Sequence, residues 1–149
     1  GVPKSDLGRE NLEALEKGLP NLLKHVENIT RVFHLPAVVA INKFPQDTEA
    51  ELELVKNRCG ELGVNAVLSE VWAKGGAGGE DLANELIRLI DENKENNMTF
   101  AYELDIPIKE KIRAIAQKIY GARDVIFTDK ALREMENMEK FGFGKMPVC

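Results

Sequence analysis

Two aromatic residues carry the most chemical information in this chain. Phe44 follows the apolar run "PAVVAI" in the stretch "NKFPQDT", and Trp72, the single tryptophan among 149 residues, follows a second apolar run in "VLSEVWAKGGAGGEDL". A tryptophan needs packing over a large ring and a partner for its indole N–H, yet this one lies where a strand is expected to stop. Rings that emerge from two neighbouring strand ends can hold a flat heterocycle between them. Adjacent strands lie about 4.8 Å apart, and loops splaying outward from them open two rings to the roughly 7 Å that a sandwiched ring requires. Pro45 stiffens the Phe44 loop, while Gly75, Gly76, Gly78 and Gly79 let the Trp72 loop bring its backbone close to a ligand. The pair also reads as ordinary packing that caps a sheet edge, and both readings stand at this point.

Other candidate chemistry is weaker. "GGAGGED" is not a phosphate loop, because no Lys-Ser or Lys-Thr follows the glycines and Lys74 precedes them. "NKFPQD" departs from the Asn-Lys-x-Asp motif that reads guanine, since Asp47 comes two residues too late. No G-x-G-x-x-G opens a helix after the first strand, so a dinucleotide fingerprint is missing too. His25 and His34 lack a ligand-spaced companion, and Cys59 and Cys149 form neither a zinc spacing nor a disulfide framework. Glu70, at a strand end, reads as a loop hydrogen-bond acceptor rather than one half of an acid–base pair. Met135 and Met138 follow helical spacing and read as core. The residues supply a ring-binding edge with no catalytic set and no metal site.

The elements that must position this edge follow from periodicity. Leu12, Leu15, Leu19, Leu22, Val26 and Ile29 mark one face of a helix spanning about 7–31, which Pro20 is expected to kink or divide. "PAVVAI" reads as a strand buried on both faces of a parallel sheet. Thr48 and Glu51 form a capping box ahead of the stripe Leu52, Val55, Cys59 and Leu62, which Gly63 ends. A second strand starts at Asn65, and Leu82, Leu86, Leu89 and Ile90 form another helix face. After the polar stretch "DENKENN", Pro107 takes a first-turn position and Ile108, Ile112, Ile115 and Ile119 give an apolar edge closed by Gly121. "DVIFT" at 124–128 predicts a third strand, a helix ending at Gly142 follows, and the last residues stop without a capping feature. Alternating strands and helices imply βαβ units: an α/β fold whose parallel sheet is covered by helices on both faces, Rossmann-like in organisation. An α/β unit over 1–92 carries the two aromatic loops, and a helix–strand–helix extension over 93–149 follows the linker. Both loops fall on the carboxyl edge of the strands, where open α/β sheets bind ligands.

Composition narrows the partners. A net charge of −5 with interleaved acids and bases provides no basic stripe for a nucleic acid backbone. The longest apolar run is far too short to cross a bilayer and no signal segment opens the chain, so a soluble protein of a reducing cytoplasm is expected.

The stretches "VVAINKFPQDTEAELELV", "VLSEVWAKGGAGGEDLA", "IPIKEKIRAIAQKIYGA" and "FGFGKMPVC" closely resemble, in order and spacing, the later part of formate-tetrahydrofolate ligase, also called 10-formyltetrahydrofolate synthetase. The resemblance covers nearly the whole chain. It implies an enzyme of one-carbon metabolism that joins formate to tetrahydrofolate through formyl phosphate, using ATP and magnesium, in a parent that assembles as a homo-oligomer. In that family the Phe of F-P-x-D-T and the Trp of S-E-V-W-A-K stack on the folate ring, which assigns those roles to Phe44 and Trp72. Pro45 then sets the loop and Leu68 lines the floor or the adjoining nucleotide region. Electrostatics alone suggests Lys43 and Lys74 for the folate glutamate tail, with Gly75 and Gly76 as tail or loop contacts. The family's phosphate loop, catalytic lysine and formyl-phosphate residues have no counterpart here. The resemblance therefore implies a piece of a larger P-loop NTPase-type enzyme, inactive alone. The rival reading is a non-catalytic α/β interaction or scaffold domain in which Phe44 and Trp72 only pack.

Overall fold

Helix starts are set by caps, and in the computed structural model, which describes residues 2–149, the first cap is Asn11. Its side chain accepts the Ala14 N–H at 2.9 Å, so α1 (Leu12–Glu27) begins five residues later than periodicity alone predicts. α1 runs on into a π-helical turn, Asn28–Val32. Pro20 lies inside α1 without dividing it. An interior proline costs about 3 kcal/mol, and burial of Leu19 and Val26 on the same helix opposes that cost.

The sheet consists of β1 (Val39–Asn42) and β2 (Ala66–Ser69), paired in parallel with Val39 opposite Ala66 and Asn42 opposite Ser69. Between them lies α2 (Glu49–Gly60), so β1, α2 and β2 form one βαβ unit of an α/β fold. The capping box forms as the sequence predicts. Thr48 Oγ1 accepts the Glu51 N–H and Glu51 Oε2 accepts the Thr48 N–H, both at 3.3 Å. Glu51 Oε1 also accepts the Asn11 N–H at 3.0 Å, so a single carboxylate serves the starts of two helices. Leu52 and Cys59 are buried, and Gly63, at φ +73°, ends the segment.

Three expectations about the sheet are corrected. β1 alternates half-buried and exposed residues instead of being buried on both faces, because α2 and α4 (Glu80–Glu92) pack against β2. Residues 124–128 form no strand: a strand exists only when paired, and among the described residues no strand pairs with this segment. Asp124 Oδ1 takes the Val125 N–H at 2.8 Å and a guanidinium N–H of Arg113 at 3.1 Å, and Ile126 is 97% exposed. The chain after Glu70 is helical rather than a loop: α3 (Val71–Lys74) leads into a 3-10 turn over Gly75–Gly79.

The chain divides into two compact units. One comprises the chain up to Thr30 together with Leu35–Asn97; the other comprises Arg31–His34 and Met98–Cys149. Within the second, Thr99 ties residues 31–34 in place. Its N–H donates to Phe33 O at 3.1 Å, its hydroxyl to Val32 O at 2.8 Å, and His34 Nδ1 lies 2.7 Å from that hydroxyl. Pro107 takes the cap position ahead of α5 (Ile108–Ala114) rather than its first turn, and a π-helical turn (Ile115–Ile119) extends the helix toward Gly121. α6 (Asp129–Lys140) starts at Thr128, whose side chain accepts the Ala131 N–H.

The last residues carry no side-chain cap but are anchored by side chains from earlier in the chain. Lys111 is fully buried, and its ammonium donates to Gly144 O at 2.6 Å and Met146 O at 2.9 Å. The Tyr102 hydroxyl bonds Val148 through both its N–H and its carbonyl. No helix of the described residues is long and apolar enough to cross a membrane.

Two measurements check this packing. Lys111→Met leaves two carbonyls without their charged donor and is expected to lower unfolding free energy by about 2–3 kcal/mol, read by urea denaturation. Glu85 supplies a pH test: Arg88, then Asn65, hydrogen-bond its carboxylate and hold its pKa at about 2. A depressed carboxylate stabilises the fold above its unfolded pKa, and that contribution is lost as pH falls through the folded value. The stability gap between the parent chain and Glu85→Gln should therefore be complete at neutral pH, shrink below about pH 4.5 and vanish as pH reaches about 2.

Candidate functional site

Parallel pairing sends both chains out of the sheet at one edge. The Lys43 N–H donates to Ser69 O at 3.0 Å, extending the ladder one step beyond β1. The first chain then turns sharply: Asp47 Oδ2 accepts the Phe44 N–H at 2.7 Å, and the Asp47 N–H donates to Phe44 O at 3.1 Å. Pro45, with its fixed φ, occupies this turn. Asp47, the Asp of the F-P-x-D-T stretch, thus positions Phe44, a role that the sequence pattern does not itself assign.

The second chain winds instead of looping. Ala73 and Lys74 donate their N–H groups to Glu70 O, which places Trp72 on a single helical turn. Gly75 (φ +60°, ψ −145°) ends that turn in a conformation that side chains rarely adopt. The chain then closes on itself, with the Glu70 N–H donating to Gly78 O at 2.9 Å. A Cβ on Gly78 would stand 2.5 Å from the carbonyl carbon and oxygen of Glu70, whereas one on Gly76 meets nothing within 4 Å. The glycine run is therefore a folded turn, and Gly78, which the sequence did not single out, is its tightest point.

Phe44 and Trp72 do come together. Their ring centroids are 6.0 Å apart with planes 25° from parallel, and the Trp72 indole N–H donates to Lys43 O at 2.9 Å. The rings rest on each other at less than the roughly 7 Å expected for a slot. Both are substantially exposed, Trp72 at 60% and Phe44 at 48%. Leu68 sits in β2 opposite Ile41 and is half-buried, one step before the strand's last residue.

Charges at this edge are already paired. Lys43 Nζ lies 2.8 Å from Glu49 Oε1, and Lys74 Nζ lies 2.6 Å from Glu70 Oε2. The bond from Glu49 raises the Lys43 pKa, and Lys43 lowers that of Glu49; the bond from Lys74 lowers that of Glu70. An anionic tail meeting these lysines has to displace carboxylates that hold them. Among the described residues no three His, Cys, Asp or Glu side chains converge as a metal site. The geometry sets two stacked, largely exposed aromatic rings beside a balanced set of charges. Comparison with protein families adds the chemistry: the family model described as Formate--tetrahydrofolate ligase matches residues 1–149.

The tight turn predicts an asymmetry between two glycines. Gly78→Ala forces the Glu70 backbone to move and should cost about 1–3 kcal/mol, with a shift in Trp72 emission. Gly76→Ala should leave stability within about 0.5 kcal/mol and the emission unchanged, measured by urea unfolding with tryptophan fluorescence.

Proposed function

Because this chain belongs to the formate-tetrahydrofolate ligase family, an ATP-dependent ligase family of one-carbon metabolism, we propose that Phe44 and Trp72 form the wall against which the folate ring is held. The observation that carries this reading is the convergence of two rings 28 residues apart in the chain, one on a turn and one on a helical turn, at the carboxyl edge of a parallel pair. The ring would be bound and oriented here for formyl transfer from formyl phosphate, giving 10-formyltetrahydrofolate. Pro45 and Asp47 fix the Phe44 turn, Leu68 supports the floor, and Lys43 with Lys74 receive the glutamate tail after exchange with Glu49 and Glu70. Gly75 and Gly76 leave backbone open beside that tail.

Stacking gives about 0.5–1.5 kcal/mol per ring pair, so two walls supply about 1–3 kcal/mol, against about 8 kcal/mol for micromolar affinity. Ring burial and polar contacts must supply the rest. The glycine run offers no phosphate cradle for ATP, since the Glu70 N–H to Gly78 O bond closes it on Glu70. In this reading ATP, magnesium and formyl phosphate are handled by other residues of a P-loop NTPase-type, Rossmann-like parent that is cytoplasmic and homo-oligomeric. The 149 residues alone do not complete the reaction.

The contact between the two rings also favours a second reading, in which they only pack within a scaffold domain. Anaerobic titration with tetrahydrofolate, following Trp72 fluorescence with inner-filter correction, separates the two. Saturable quenching that weakens in a folded Phe44→Ala variant is expected; unchanged emission from the folded chain would favour packing. With ATP and formate added, no 10-formyltetrahydrofolate should appear, and measurable turnover would overturn the assignment of the chemistry to other residues.

A further inference from the structure

The two aromatic walls are anchored differently. Trp72 is held at three levels: its helical turn is capped on Glu70, that turn is closed by the Glu70–Gly78 bond, and its indole N–H is bonded to Lys43 O at 2.9 Å. Phe44 is fixed only through its backbone, by Asp47, and its ring has no polar atom with which to bond anything. A flat ring sandwiched between two others requires planes about 7 Å apart, and the centroid distance of 6.0 Å sets the upper limit on the present gap. The pair must open by about 1 Å and lose its tilt before a ring enters. Moving Trp72 breaks a hydrogen bond, whereas moving Phe44 needs only rotation about side-chain bonds and the loss of one stacking contact.

We propose that Phe44 is a swinging wall that closes on a fixed Trp72 in the ligand-free protein and turns outward to admit a planar heterocycle. This rests on the reading of the pair as the folate slot, and it extends that reading by assigning the motion to one residue. Phe44 then acts as a gate whose self-stack competes with the entering ring, while Lys43 O is the positioning group for the fixed wall.

Fluorine and proton NMR test this on the chain itself, since its one tryptophan gives one indole N–H signal and Phe44 is identified among six phenylalanines by its loss in Phe44→Leu. Without ligand, the 4-fluorophenylalanine signal of Phe44 should carry a ring-current shift that disappears in Trp72→Leu, and should be broadened by exchange. The indole N–H should exchange with solvent about 5- to 10-fold more slowly than a free indole, as expected for one intact hydrogen bond. Added tetrahydrofolate should move the Phe44 signal and leave the indole N–H protected. An unprotected or ligand-released indole beside a sharp Phe44 signal would make Trp72 the moving wall and overturn the proposal. A Phe44 signal indifferent to Trp72→Leu would remove the self-stack and the gate with it. Broadening of Phe44 without any response to tetrahydrofolate would uphold the swing but sink the folate reading; a pair that stays sharp and stacked in both conditions would sink both.

Discussion

Parallel pairing of β1 with β2 is the constraint on which the candidate site depends. An antiparallel pair would send the chain after Asn42 and the chain after Ser69 in opposite directions, and Phe44 and Trp72 would leave opposite ends of the sheet. The parallel register, prolonged by the Lys43 N–H to Ser69 O bond, delivers both to one edge. The crossover through α2 makes that direction possible, since parallel neighbours cannot be joined by a tight turn. α2 in turn starts where Thr48 and Glu51 satisfy its first amides, immediately after the turn that carries Phe44.

Local devices were readable from the residues because their causes are local. The Thr48–Glu51 box, the glycine stops at Gly63, Gly121 and Gly142, and the helical stripes all depend on side chains a few positions apart. Features that depend on distant partners were not readable in the same way. "DVIFT" has strand composition, but pairing decides whether a strand forms, and no strand among the described residues pairs with it. The "SEVWAKGG" stretch looked like a loop because glycine run and strand end coincide; the Glu70–Gly78 bond, eight residues apart, winds it instead. Lys111 is polar by type and so reads as surface, yet it is buried because carbonyls some thirty residues later accept its protons. The convergence of Phe44 and Trp72 was legible through topology, whereas their direct contact was not.

That contact joins two opposed requirements at one place. Exposed aromatic rings reduce their contact with water by covering each other, and a ring-binding surface needs them apart. The charges nearby show the same arrangement, since each lysine at the edge is held by a carboxylate of the chain itself. Attractive groups are thus retained in internal contacts of modest strength, and binding would proceed by exchange of partners instead of by capture on bare surface. At the proposed site such exchange would favour ligands that replace both the stacking and the charge contacts, a source of discrimination that contact area alone does not give.

The Thr99 hydroxyl bears on the state of a neighbouring imidazole. A carbonyl can only accept, so the hydroxyl's single proton is committed to Val32 O, and the 2.7 Å contact with His34 must be made by a proton on Nδ1. That fixes the tautomer: the neutral ring carries its proton on Nδ1 and presents a lone pair at Nε2. His34 makes this contact from a left-handed backbone conformation, at φ +52°, so the Thr99 hydroxyl joins a strained turn to the start of the segment that follows residue 98.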